Sequence, residues 1–137
     1  MIDIPKAFRS WLVADATLSA LVGTRVFVGP VPKSEAASMP RACVACRMSG
    51  GPMNEDYVRL TDQRFDVWCY GASEIQAVEV QRAVQDALKY LMRSLVGDVL
   101  MHSAKPTGAI GPVEDPDTNW PVVIQSFLVK ASEQTAA

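Results

Sequence analysis

Catalysis by a nucleophile and a base most naturally draws on histidine, and the 137-residue chain holds one, His102. Its neighbours Met101, Ser103 and Lys105 form no G-x-S-x-G elbow, so it reads as a plain surface or satisfied core histidine. Cys43 and Cys46 have C-x-x-C spacing, but residues three apart in a strand point to opposite faces and cannot share one metal ion without a turn. No second Cys or His pair follows them. With Cys69 the cysteine count is odd, which argues for free buried thiols rather than a disulfide framework. Glu55-Asp56 and Glu114-Asp115-Pro116-Asp117 offer oxygens for a cation, yet neither fits a calcium loop and Pro116 stiffens the second, so both read as solvated loops. Gly50-Gly51, Gly108 and Gly111 are not followed by a phosphate-cradling pattern and read as turn glycines. The expectation is a protein with no catalytic residue, metal site or cofactor.

Composition narrows the partners. The chain is 49% hydrophobic and 20% charged, the balance of an ordinary soluble globular domain, and its length suits one domain over residues 1–137. A net charge of -2 with scattered Lys and Arg leaves no footprint for gripping nucleic acid and no polybasic membrane patch. The first residues lack a charged-then-apolar leader, and no stretch approaches the ~18 apolar residues of a membrane span. A protein partner is expected, met from the cytosol.

The elements that must position these residues follow from periodicity. Residues 5 to 22 predict a helix, a break and a second helix, with Phe8, Trp11, Leu12, Leu18, Leu21 and Val22 at helical spacing, a cap at Asp15 or Thr17, and a stop at Gly23. Arg25 to Val28 predicts a short strand, and Lys33 to Pro40 a loop. Arg41 to Met48 alternates Ala42, Val44, Cys46 and Met48 against Cys43, Ala45 and Arg47. A wide-tipped hairpin then leads into a strand over Arg59 to Tyr70, with Phe65, Val67 and Cys69 as the core face. Ser73-Glu74-Ile75-Gln76 is a capping-box pattern opening a helix of about 20 residues striped by Ala77, Val80, Val84, Ala87, Leu88 and Leu91, with Gly97 past its end. Asp98 to Ala104 predicts a strand, Pro106 to Asn119 a loop, and Trp120 to Ala131 a last strand with Val122, Ile124 and Leu128 on one face. Residues 132–137 are expected to form a flexible tail. The sum is an α+β domain: a mainly antiparallel sheet, a long helix on one face, and an N-terminal helical segment.

Trp68 and Tyr70 fall on the strand face opposite the core. They need cover, either from within, with the N-terminal helix as the candidate, or from another subunit.

The order of Leu18-Ser19-Ala20-Leu21-Val22-Gly23, Arg25-Val26-Phe27, Ser49-Gly50-Gly51-Pro52, Arg64-Phe65-Asp66-Val67-Trp68-Cys69-Tyr70 and the helix from Glu74 to Leu88 resembles the tail-completion, or tail-terminator, family of long-tailed phages. The resemblance covers nearly the whole chain through short structural motifs. The helix opening without an aromatic and the Pro- and Asp-rich 106–119 stretch depart from the pattern and leave the subgroup open.

The resemblance implies a virion structural protein of the tail-head neck, assembled in the host cytoplasm into a hexameric ring. Such a ring stops polymerisation of the major tail tube protein and meets the head connector. Its slightly acidic composition suits a lumen that passes DNA without binding it. The sheet edges are the expected joints between subunits. The expected assembly interface comprises the hairpin-tip residues Gly50, Gly51, Met53, Asn54, Glu55, Asp56 and Tyr57, the strand aromatics Trp68 and Tyr70, and Asp115, Asp117, Asn119 and Trp120. Two alternatives stay open: a head-completion or stopper protein of the same neck, and a small non-catalytic ligand-binding domain.

Overall fold

The computed structural model describes residues 3–49, 60–97 and 99–133. Asp3 caps α1 (Ile4–Ala14) by accepting the Lys6 backbone N–H at 3.0 Å, and Pro5 lies in the first turn, where a missing N–H costs nothing. Asp15 closes α1 with its own N–H and opens α2 (Ala16–Val22) by accepting the Leu18 N–H at 2.9 Å. One residue therefore makes the predicted break, and Gly23, at φ 60°, ends α2.

Among the described residues, six strands form one sheet: β1 (Val26–Val28), β2 (Cys43–Met48), β3 (Leu60–Tyr70), β4 (Ser94–Val96), β5 (Val99–Glu114) and β6 (Pro121–Glu133), in the order β1-β2-β3-β6-β5-β4. Of the pairings among these strands, β1 with β2 is parallel and the other four are antiparallel. The region between β1 and β2, expected as a loop, contains a single helical turn, α3 (Lys33–Ala36). Arg41 anchors it by gripping Glu35 with two hydrogen bonds of 2.6 and 2.8 Å, which hold the Glu35 carboxyl below its ordinary range.

Helix α4 (Glu74–Lys89) buries every residue of the predicted stripe within its span, together with Ala83. Ser73 Oγ accepts the Gln76 N–H at 3.2 Å, but the Gln76 side chain reaches back one residue further than a capping box requires, to the Ala72 N–H at 2.6 Å. The helix ends earlier than expected. Gly97, predicted to follow the helix, lies instead at φ 62° in the two-residue link between β4 and β5, where Val96 pairs with Val99. Three residues of strand, Ser94 to Val96, thus take the place of a last helical turn.

The largest correction is at 106–119. Proline and glycine there suggested a loop, yet β5 continues to Glu114, and only Asp115 to Trp120 form the turn. β4 covers β5 no further than Met101, so the rest of β5 is an edge, where a missing proline N–H breaks no ladder. Register shifts between Met101 and Ser103, Pro106 and Gly108, and Ile110 and Val113 absorb the irregular residues as bulges. β6 likewise runs past its expected end: Ser132 pairs with Leu60 and Glu133 with Val99, inside the segment expected to be a flexible tail.

The main core lies between the sheet and helices α1, α2 and α4. Val44 and Cys46 of β2, Phe65, Val67 and Cys69 of β3, and Phe127, Val129 and Ala131 of β6 supply its floor. The predicted β3 face is therefore the one packed against the helices. On β6 the trio Val122, Ile124 and Leu128 points away from the helices. Among the described residues, no helix is long and apolar enough to cross a membrane.

Candidate assembly surface

His102, the three cysteines and Asp115 have structural places. His102 lies in β5, half-buried, with Nε2 2.9 Å from Ser132 Oγ. Cys43 packs in a small cluster on the far face of the sheet, whereas Cys46 and Cys69 lie in the main core, so the C-x-x-C spans the sheet. All three thiols are free and buried; removal from water pushes Cys43 and Cys46 up to about 12 and raises Cys69 as well. Asp115 is turned inward to hold its own turn: its Oδ1 accepts the Asp117 N–H at 3.0 Å, and its carbonyl accepts the Asn119 N–H at 2.7 Å. Asn119, at φ 61°, is a residue type that tolerates the left-handed region. Among the described residues, no three Cys, His, Asp or Glu side chains converge as a metal site.

Trp68 and Tyr70 do find cover inside the subunit, though from elements other than the expected N-terminal helix. Helix α1 sits on the opposite face, with Phe8 stacked on Phe65. Tyr70 is 1% exposed, packed with Cys43, Ala45 and Val122 under Phe27, Val31, Met39 and Trp120. The Trp120 ring meets Tyr70 edge-on at 5.8 Å, and the Arg47 guanidinium lies 4.2 Å over Trp68. Tyr70 therefore presents no surface to another molecule. Trp68 and Trp120 are half-buried, while Asp117 and Asn119 stand exposed. Gly50, Gly51, Met53, Asn54, Glu55, Asp56 and Tyr57 lie outside the described residues.

What the sequence reading missed is an apolar surface along α4 and β5. Ile75, Met92, Ile110 and Val113 are between 40% and 75% exposed. Beside the C-terminal half of α4, Leu88, Ala104 and Phe127 line a groove of about 560 Å³; beside its N-terminal half, Ile75, Val78 and Pro112 line a second of about 320 Å³. Ile75 lies off the buried helical stripe, and that displacement was the available signal. Apolar surface exposed in this way suits contact with a protein.

The sequence model described as tail completion protein gp17 matches residues 6–127. The chain belongs to that family. Its fold is similar to a chain of the virion of the native gene transfer agent particle, with a TM-score of 0.68, 20% identity and 94% of each chain covered. It is also similar to the gp17 protein of bacteriophage SPP1, with a TM-score of 0.51, 16% identity, and 96% of this chain and 90% of that chain covered. A search of curated proteins finds no match. As a tail completion protein of the gp17 family, the chain is a structural component of phage-like particles.

Proposed function

We propose that the protein is a tail-terminator subunit. Six copies form a ring at the head-proximal end of the tail tube, end polymerisation of the tube protein, and join the tail to the head connector. The observation that carries this reading is the family match over residues 6–127, nearly the whole chain. No bond is made or broken in this role. The work is shape and closure: a heterologous contact repeated around an axis closes when the rotation between neighbours divides a full turn.

The strand directions support an orientation for the subunit. Leu60 marks one end of the sheet, and the Asp115–Trp120 turn lies at the other, beside Tyr70. β3, with 11 residues, separates these ends by about 35 Å. A ring whose strands run across its thickness offers one end to the tube and the other to the connector, leaving the sheet edges for neighbours. Exposed Asp117 and Asn119 then lie on one axial face. The DNA passes through the lumen without specific contacts.

Electron microscopy of the purified protein, alone and mixed with tail tubes, tests this alongside its mass in solution. Rings of about six subunits, or a cap on one tube end, are expected. A protein that stays monomeric and ignores tube ends would sink the reading.

A further inference from the structure

Tyr70 and Cys43 are hidden on the side of the sheet away from the helices α1 and α4, and little ties down the segment that hides them. Residues 30–41 connect β1 to β2, and their Val31 and Met39 rest, with Phe27 and Trp120, on the cluster of Cys43, Ala45, Tyr70 and Val122. The four residues beneath are at most 1% exposed. Yet no residue from 30 to 41 is itself buried.

The backbone hydrogen bonds of this segment stay within it. The Pro32 carbonyl accepts the N–H groups of Glu35 and Ala36, and the carbonyls of Glu35 and Ala36 accept those of Ser38 and Met39. Among the described residues, no backbone hydrogen bond joins 30–41 to the rest of the fold. The chain is fixed just outside both ends: the Gly29 N–H donates to the Cys46 carbonyl at 2.8 Å, and Arg25 Nε donates to the Ala42 carbonyl at 2.9 Å. At the first of these ends a Cβ added to Gly29 would meet nothing within 4 Å, so the chain has room to turn there.

Charge closes the segment. Arg41, its last residue, holds Glu35 by the two short hydrogen bonds described above, and Arg25, which belongs to the fixed base, brings Nε to 4.0 Å from the same carboxylate. Glu35 therefore ties the segment both to its own end and to the base. The main core beneath the helices shares none of the residues that the segment covers. A unit with few buried contacts and no backbone ladder to its neighbours opens at a lower free energy than a packed core does.

We propose that residues 30–41 form a lid latched by Glu35, which opens as a unit between Gly29 and Ala42 and uncovers Tyr70 and Cys43 while the main core stays packed. Closed, the lid withholds Tyr70 from other molecules. Open, it joins Tyr70 to the half-buried Trp68 and Trp120, whose rings lie 6.4 and 5.8 Å from it, as one aromatic surface. The device goes beyond the ring reading and does not depend on it.

Cys43 reports the position of the lid, because its thiol lies in the covered cluster while those of Cys46 and Cys69 lie in the main core. Alkylation by iodoacetamide in mildly alkaline buffer, followed by mass spectrometry of the digested protein, gives a rate for each thiol. Glu35→Gln removes the charge of the latch at nearly constant volume, and Met39→Ala thins the seat of the lid; circular dichroism matching the parent establishes that each is folded. In both, Cys43 should be alkylated about tenfold faster than in the parent or more, as loss of a charged hydrogen bond or of buried contact requires, with Cys46 and Cys69 unchanged. Phe8→Ala, which loosens the main core instead, shows the pattern of global destabilisation, with all three rates rising together. An unchanged Cys43 rate in Glu35→Gln removes the latch. A joint rise of all three thiols in either lid variant makes the segment part of the cooperative core and removes the lid.

Discussion

The ring of Phe8 lies nearly flat on that of Phe65, with centroids 4.4 Å apart and planes 16° from parallel. Both side chains are fully buried, so this stack seats the N-terminal helix on the central strand β3, across more than fifty residues of intervening chain. It forms only when the first helix and the hairpin strand are both in place. Phe8→Ala should cost about 3–5 kcal/mol, because it deletes a buried aromatic and leaves a cavity between two layers. Phe8→Leu, which keeps most of the volume, should cost less. Urea unfolding measures both; a shift in midpoint without a change in slope isolates the packing effect.

Gly71 occupies the corner between β3 and α4, where the chain passes so close to the first turn of the helix that an added Cβ would lie 2.5 Å from the Ala77 backbone nitrogen. The obstacle is backbone and cannot swing aside. Gly71→Ala should therefore destabilise the fold by about 1–3 kcal/mol, as overpacking does, even though alanine suits most positions beside a helix. The same substitution at Gly97, where nothing lies within 4 Å, meets no clash and tests only the cost of its φ of 62°. Comparing the two unfolding midpoints separates crowding from backbone strain.

These two positions also mark what the sequence could tell. Alternation revealed which face of β3 meets the helices, because Phe65 and Val67 contrast with Arg64 and Asp66, and 3.6-residue periodicity revealed α4 through a similar contrast of apolar and polar positions. The pattern failed where composition and position compete. Pro106, Gly108, Gly111 and Pro112 suggest a loop by type, but an edge strand with bulges tolerates them all, and only the pairing with β6 shows where the edge lies. The cover over Tyr70 was illegible for a related reason. Phe27, Val31, Met39 and Trp120 come from separate short segments with no common period, and only the folded chain brings them together. The apolar residues of the α4–β5 surface were visible in type, but their exposure depends on the sheet order.

The buried thiols make a chemical prediction. Cys43 and Cys46 ionise near 12 in the folded chain instead of at their ordinary 9.0, because burial disfavours the thiolate, and Cys69 is raised for the same reason. A thiol-reactive reagent at neutral pH should leave all three unmodified in the folded protein and label all three in denaturant. The pH dependence has a definite sign. The unfolded chain releases these protons near 9 and the folded chain holds them to about 12, so the unfolded state binds fewer protons within that window. Stability is at its full value below pH 9 and falls as pH rises from there towards 12. Tyr70, raised to about 12 by burial, adds to the loss at the upper end. Cys46→Ala should flatten the decline, and thermal melts across this range measure it.

The turn from Asp115 to Trp120 permits a test of the axial contact that leaves the sheet edges untouched. Asp115 holds the turn through the backbone N–H groups of Asp117 and Asn119, so the side chains of those two residues are free of that duty and exposed. Asp117→Ala removes one without breaking the Asp115 bond. Asn119→Gly removes the other at a φ of 61°, which glycine adopts readily. The double variant should fold and assemble like the parent, because the proposed lateral joint lies at the sheet edges. If this end of the strands meets the tube or the connector, its rings should cap tubes or join heads less efficiently, and counts of headless tails and unjoined heads by electron microscopy would rise. Normal joining by the double variant would relocate the axial contact to the opposite end of the sheet, beyond Ser49 and Leu60. Loss of ring formation would instead place the turn in the joint between neighbours and overturn the assignment of the strands to the thickness of the ring.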